Sequence, residues 1–168
     1  GNRYAGLFDA YWTKDSFFAD NVKPEHTTKN PSLGEPAVVN KRLDLSGQIG
    51  GPIIKDKLFF FLSGQRYGQQ DNPSGPLGLH TEVSPRFNIK MTFQPTPNDT
   101  IVGALQYDQY NQKGRTGFIP GYALTAQDQT IEQDSPEYIW NAQYRKVFGA
   151  STYLEAKAAR LKVEGQKD

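Results

Sequence analysis

The sequence predicts an all-β chain, an antiparallel up-and-down meander of about seven long strands with one wet face. Three observations predict it. Apolar residues recur at every second position in segment after segment, the segments run to about 9 to 13 residues, and the connections alternate long and short.

Composition narrows the choice. Of 168 residues only 36% are apolar, yet 12% are aromatic, and the mean hydropathy is −0.68. So few apolar residues cannot fill a large dry core, whereas ten Phe, nine Tyr and two Trp argue against a disordered chain. A wall with one apolar and one polar side satisfies both. A net charge of +1 gives no footprint for nucleic acid. Cysteine is absent, which removes disulfides and thiolate metal sites. The densest apolar run, Leu58 to Leu62, falls far short of the roughly 18 residues of a membrane helix. That leaves membrane strands open, because their signal per segment is weak.

The first segment, Tyr4 to Thr13, places Tyr4, Phe8, Ala10 and Trp12 opposite Arg3, Asp9 and Thr13. Lys41 to Gly50 alternates Leu43, Leu45 and Ile49 with Asp44, Ser46 and Gln48. Leu58 to Gln69 begins apolar on both faces, so its facing is ambiguous. Arg86 to Gln94 is the cleanest strand, with Phe87, Ile89, Met91 and Phe93 set against Asn88, Lys90, Thr92 and Gln94. Thr100 to Tyr110 and Tyr138 to Phe148 repeat the pattern, the latter through Tyr138, Trp140 and Tyr144. Thr152 to Leu161 alternates too, but its alanines also suit a helix.

The connections are informative in their own right. Long stretches at 14–40, 70–85 and 111–136 interleave with short turns at 51–57, 95–99 and 149–151. Outer-membrane barrels have this parity, with short periplasmic turns and long outer loops, whereas soluble sandwiches mix loop lengths. A tilted membrane strand needs about 9 to 11 residues, against about 5 or 6 for most soluble strands. Aromatics near the strand ends fit interfacial girdles, although aromatics are common in strands generally.

From Leu43 to Phe61 the sequence reads LDLSGQIGGPIIKDKLFFF. This run resembles TonB-dependent receptors, specifically the branch with a carboxypeptidase-regulatory-like domain that includes the Oar-like proteins. There, a Gly-Gly-Pro-Ile turn followed by Lys-Asp-Lys-Leu-Phe-Phe-Phe joins two early barrel strands. Asn2 to Tyr11 resembles the first strand after the plug, Phe93 to Asp99 the next periplasmic turn, and Trp140 to Leu154 a later hairpin. In this reading Gly50 and Gly51 permit the reversal, Pro52 lacks an N–H to leave unpaired, and Lys55, Asp56 and Lys57 keep the turn in water.

The resemblance implies that residues 1–168 are an open segment of a 22-stranded outer-membrane barrel, without its plug domain, its coupling box or the remaining strands. It implies location in the cell outer membrane. Its partners would be lipid, the plug and rest of the barrel, and the TonB complex. The full protein would take up a scarce nutrient, whether oligosaccharide, peptide or metal chelate. A soluble β-sandwich that binds carbohydrate and a surface barrel that transports nothing are the alternatives.

No catalytic motif is present, and neither an enzymatic activity nor a cofactor is expected. His26 and His80 fall on separate expected loops, where solvation is commoner than metal binding. Asp9 and Asp108 are expected to face a lumen, with Arg145, Glu155 and Lys157 in inward polar ladders. Arg115, Phe118 and Tyr122 on the third outer loop could contact a ligand by stacking, or fold back on the rim.

Overall fold

The computed structural model describes residues 2–19, 22–31, 38–72, 79–115 and 130–167. Within them one antiparallel sheet runs in strict chain order: β1 (Ala5–Lys14), β2 (Val38–Ile54), β3 (Leu58–Asn72), β4 (His80–Thr96), β5 (Asp99–Arg115), β6 (Ile131–Phe148) and β7 (Thr152–Val163). A two-residue piece, β8 (Gln166–Lys167), pairs with β6 in the register that β7 has already set, so it prolongs the seventh strand. The sheet is open, with β1 and β7 at its edges.

Residues directly opposite each other on antiparallel strands share a face, so the register sorts the side chains. One row reads Gly6, Ile49, Leu62, Ile89, Leu105, Trp140. The next toward the short turns reads Phe60, Met91, Gly103, Ala142, and beyond it lie Leu58, Phe93, Ile101 and Tyr144. Through β6 this face is mostly apolar; on β7 the central row continues to Arg160, and nearer the long loops Leu45 and Pro85 face Arg66. The opposite face carries the row Asp9, Ser46, Gln65, Arg86, Asp108, Glu137. The doubly apolar start of β3 is resolved in the same way: Phe60 and Leu62 join the apolar face, while Phe59 and Phe61 take the other.

A row also reveals the slant of the strands. Through Gln65, Asp108 and Val163 it crosses β3 seven residues after Leu58, β5 nine after Asp99 and β7 eleven after Thr152. The short turns thus recede by two residues per hairpin, one per strand. With a rise near 3.3 Å and a strand spacing near 4.8 Å, that stagger is a slant of about 35°.

The sheet has no dry centre. The largest fully buried side chain among the described residues is Ser84. The chain exposes 11857 Å², where a compact monomer of its mass exposes about 8,300 Å². Trp140 and Leu105, in the middle of the apolar face, are 44% and 40% exposed.

Three expectations need correction. The Gly-Gly-Pro run is not the reversal: Gly50, Gly51 and Pro52 lie inside β2, and the chain turns at residues 55–57. Asp56 takes the left-handed backbone there, at φ 61°, which Asp tolerates better than most residues. The strands are also longer than their alternation, at 15 to 18 residues for β2 through β6. Finally, the first long connection is not wholly irregular. It holds a 3-10 turn at Asp15–Phe17 and a helix α1 at Pro24–Lys29. Pro24 starts that helix without losing a needed N–H, and the His26 ring accepts the Lys23 N–H at 3.2 Å. The Ala-rich seventh segment is a strand.

Candidate functional site

The polar face is where chemistry can occur. Four hollows of between 330 and 470 Å³ lie against the sheet, and their linings are drawn chiefly from this face. The polar face is therefore the concave one. One of these hollows, of about 440 Å³, brings Asp9, Ser46, Gln65, Arg86, Gln106 and Asp108 around one depression. Asp9 and Asp108 thus share one row of this face.

Hydrogen bonds knit this face into a ladder. The Gln65 amide donates to both Asp44 oxygens at 2.8 and 3.0 Å, and Arg86 Nη1 donates to Gln65 Oε1 at 3.4 Å. Gln106 donates to Asp108 at 2.7 Å. Nearer the long loops, Gln69 Oε1 accepts from Arg42 Nε at 2.9 Å and from the Tyr67 hydroxyl at 2.5 Å, and its amide donates to Asp71 at 3.1 Å. Asp71 meets His80 Nδ1 at 2.9 Å. Glu82 accepts from Ser84 at 3.1 Å and from Gln112 at 3.5 Å. Among the described residues no buried side-chain nitrogen or oxygen lacks a partner, so the ladder carries no desolvation penalty of the kind that unpaired groups incur.

Sequence reading missed the upper part of this ladder. His80 is not on a loop but opens β4, with its side chain 17% exposed against Asp71. His26 sits apart, on α1. The signal was present as polar residues at every second position, Gln65, Tyr67, Gln69, Asp71 and then His80, Glu82, Ser84, Arg86. It was hidden because both faces are polar there. Near the short turns, Arg145 pairs in register with Glu155, which accepts from Gln143 and meets Lys157 at 2.8 Å. That is the polar ladder expected of these residues.

The turn corner is built differently from its expected role. The Tyr4 ring lies over Gly51, where an added Cβ would sit 2.4 Å from Tyr4 Cδ1, and its hydroxyl donates to the Pro52 carbonyl at 2.7 Å. Asn2 accepts the Asp56 N–H at 2.9 Å and donates back to the Asp56 carboxylate. Gly50, Gly51, Pro52 and Asp56 therefore anchor the start of β1 to the β2–β3 hairpin. Arg115 ends β5, where its backbone pairs with Ile131; its side chain, and Phe118 and Tyr122, lie outside the described residues.

No protein-family model, curated protein or solved structure matches the chain. What it does must be argued from its two faces. Among the described residues no three His, Asp or Glu side chains converge for a metal ion. The concave face offers amides, carboxylates, guanidinium groups and tyrosines, which is the equipment of a binding surface.

Proposed function

We propose that the chain is a stretch of wall from an outer-membrane β-barrel, part of a TonB-dependent receptor of the carboxypeptidase-regulatory-like, Oar-like branch. One observation carries the reading: a single curved sheet has its convex face mostly apolar from β1 to β6 and its concave face mostly polar and hydrogen-bonded. A soluble protein covers such an apolar face with a second layer, and among the described residues there is one sheet only. Lipid is the cover that the strand dimensions suit. Along β4 the apolar face runs unbroken from Phe93 through Met91, Ile89, Phe87 and Pro85 to Val83, while on β3 and β5 it ends sooner, at Arg66 and Gln109. At a slant of about 35° those ten steps rise about 27 Å, close to the apolar band of about 25 Å on membrane barrels.

Aromatics mark both borders of that band. Phe93 and Tyr144 stand toward the short turns. Toward the long loops, Trp12 stands level with Val83 and meets Phe17 edge-on at 5.0 Å, while Tyr107 and Tyr138, 5.0 Å apart between ring centres, stand inside the band level with Phe87. Girdles of this kind sit at lipid headgroups. The edges β1 and β7 would pair with further strands of the same barrel, up to the 22 that the resemblance implies. The short turns would face the periplasm and the long connections the outside. The complete receptor would hold a plug domain, couple to the TonB complex and import a scarce nutrient.

Location and orientation are tested together by tryptophan quenching in the protein that carries this chain. Forms that keep Trp12 or Trp140 alone, every other tryptophan of the protein replaced by Phe, are placed in bilayers whose lipids are brominated at chosen depths. Trp140 should be quenched most by deep bromines and Trp12 by shallow ones. Equal quenching from aqueous acrylamide at both sites would return the chain to the soluble sandwich. Transport is tested by crosslinking to the energy-transducing subunit of the TonB complex; its absence favours a surface barrel that imports nothing.

A further inference from the structure

The concave face carries a second row, one step nearer the long loops: Tyr11, Asp44, Tyr67, Ser84, Tyr110, Ser135. Tyr11 opposes Asp44, Asp44 opposes Tyr67, Tyr67 opposes Ser84, and Tyr110 opposes Ser135. Ser84 falls opposite Tyr110 because Val83–Asn111 and Arg86–Asp108 hold one register on either side. Aromatic rings therefore recur on every second strand, with a carboxylate or hydroxyl between them. Two strand spacings come to about 9.6 Å.

We propose that this row is a track for a linear, neutral oligosaccharide. The inference rests on the receptor reading and names its cargo. A stacking ring at every second strand matches the length of two sugar units in an extended glycan. The groups between the rings are those that pair with sugar hydroxyls. The rings are also held for stacking. The Tyr67 hydroxyl donates to Gln69 two residues along the same strand, and the Tyr110 hydroxyl accepts from Gln112 in the same way. Tyr67 and Tyr110 therefore lean along their strands rather than standing up from them. Tyr11 and Tyr110 are 56% and 37% exposed, so their faces are within reach of a ligand.

Charge argues against the other cargoes. In this half of the concave face Asp9, Asp44, Asp71, Glu82, Asp108 and Glu137 outnumber Arg42 and Arg86. An acidic wall repels anionic metal chelates. A cationic peptide would be attracted by charge, but gains less than a sugar from rings spaced in this way.

The test is calorimetric titration of the protein that carries this chain, in detergent, with maltohexaose, cellohexaose, xylohexaose and chitohexaose, and with hexalysine as the peptide probe. At least one glycan should bind, with Tyr11→Ala and Tyr110→Ala each weakening it about three- to tenfold and the Phe variants within twofold. Tyr110→Leu keeps bulk without an aromatic face and serves if the alanine form does not fold. Binding of hexalysine alone, binding of no glycan, or alanine and leucine variants that bind like the parent would each overturn the track. Fractionation separates the two readings. A protein found in the outer membrane that ignores glycans loses only its cargo, whereas one absent from that membrane loses the receptor reading as well.

Discussion

Gly51 is bare because Tyr4 occupies the space a side chain would take. Gly51→Ala should push the ring off, break the Tyr4–Pro52 hydrogen bond and cost about 1–2 kcal/mol, read as a fall in the urea midpoint. Gly103→Ala is the control, since an added Cβ there meets nothing within 4 Å; it should be neutral or slightly stabilising. The Gly-Gly-Pro run was legible as a special place but not as the correct one. Glycine signals either a turn or a close approach, and which of the two depends on a ring 47 residues away in sequence.

Asp99, beyond the apolar band at the β4–β5 turn, makes a prediction about acid. The hydroxyls of Thr96 and Tyr144 donate to its carboxylate, the latter at 2.6 Å, and hold its pKa below the ordinary value. A carboxyl depressed on folding stabilises the protein fully above its unfolded pKa, and that stability is lost as pH falls through the folded one. Tyr144→Phe should therefore lower stability at neutral pH and flatten its decline on the acid side of the ordinary carboxylate range. Urea midpoints measured from pH 6 downward check this; parallel curves for parent and variant would contradict it.

At the scale of the strand, the sequence marks the middle and loses the ends. Alternation of apolar and polar residues identified the centres of all seven strands, including the Ala-rich last one. It stops where both faces turn polar, so residues 70–72, 80–85, 111–115 and 131–136 read as loops although they pair in the sheet. Pairing there is sustained by side-chain ladders such as Arg42–Gln69–Asp71–His80, which no single strand's pattern contains. Adjacent residues of β4 test the facing directly. Ile89→Arg, in the central apolar row, should cost about 2–4 kcal/mol of folding stability in lipid. Asn88→Arg, on the concave side of the same strand, should be tolerated. Equal losses for the two would mean that the strand is not divided between two solvents.

For the whole molecule the balance differs from that of a soluble domain. About 3,500 Å² more surface is exposed than a compact chain of this mass would show, and much of the convex side is apolar through β6. That face and the two open edges are stable only if something covers them, and the one-residue stagger per strand is the slant at which such a wall closes into a barrel. Connection parity was legible in the sequence at this scale. The rows that build the concave site were not, because register between strands is a property of the folded sheet.

The most direct measurement is a cysteine scan of residues 101–108 on β5, one position at a time, in the protein freed of any cysteine outside residues 1–168, which hold none. The protein is embedded in its membrane and treated with a charged, membrane-impermeant thiol reagent. Positions 102, 104, 106 and 108 should label and positions 101, 103, 105 and 107 should not. Uniform labelling along the strand, or labelling of the odd positions instead, would contradict a wall with lipid on one side and water on the other.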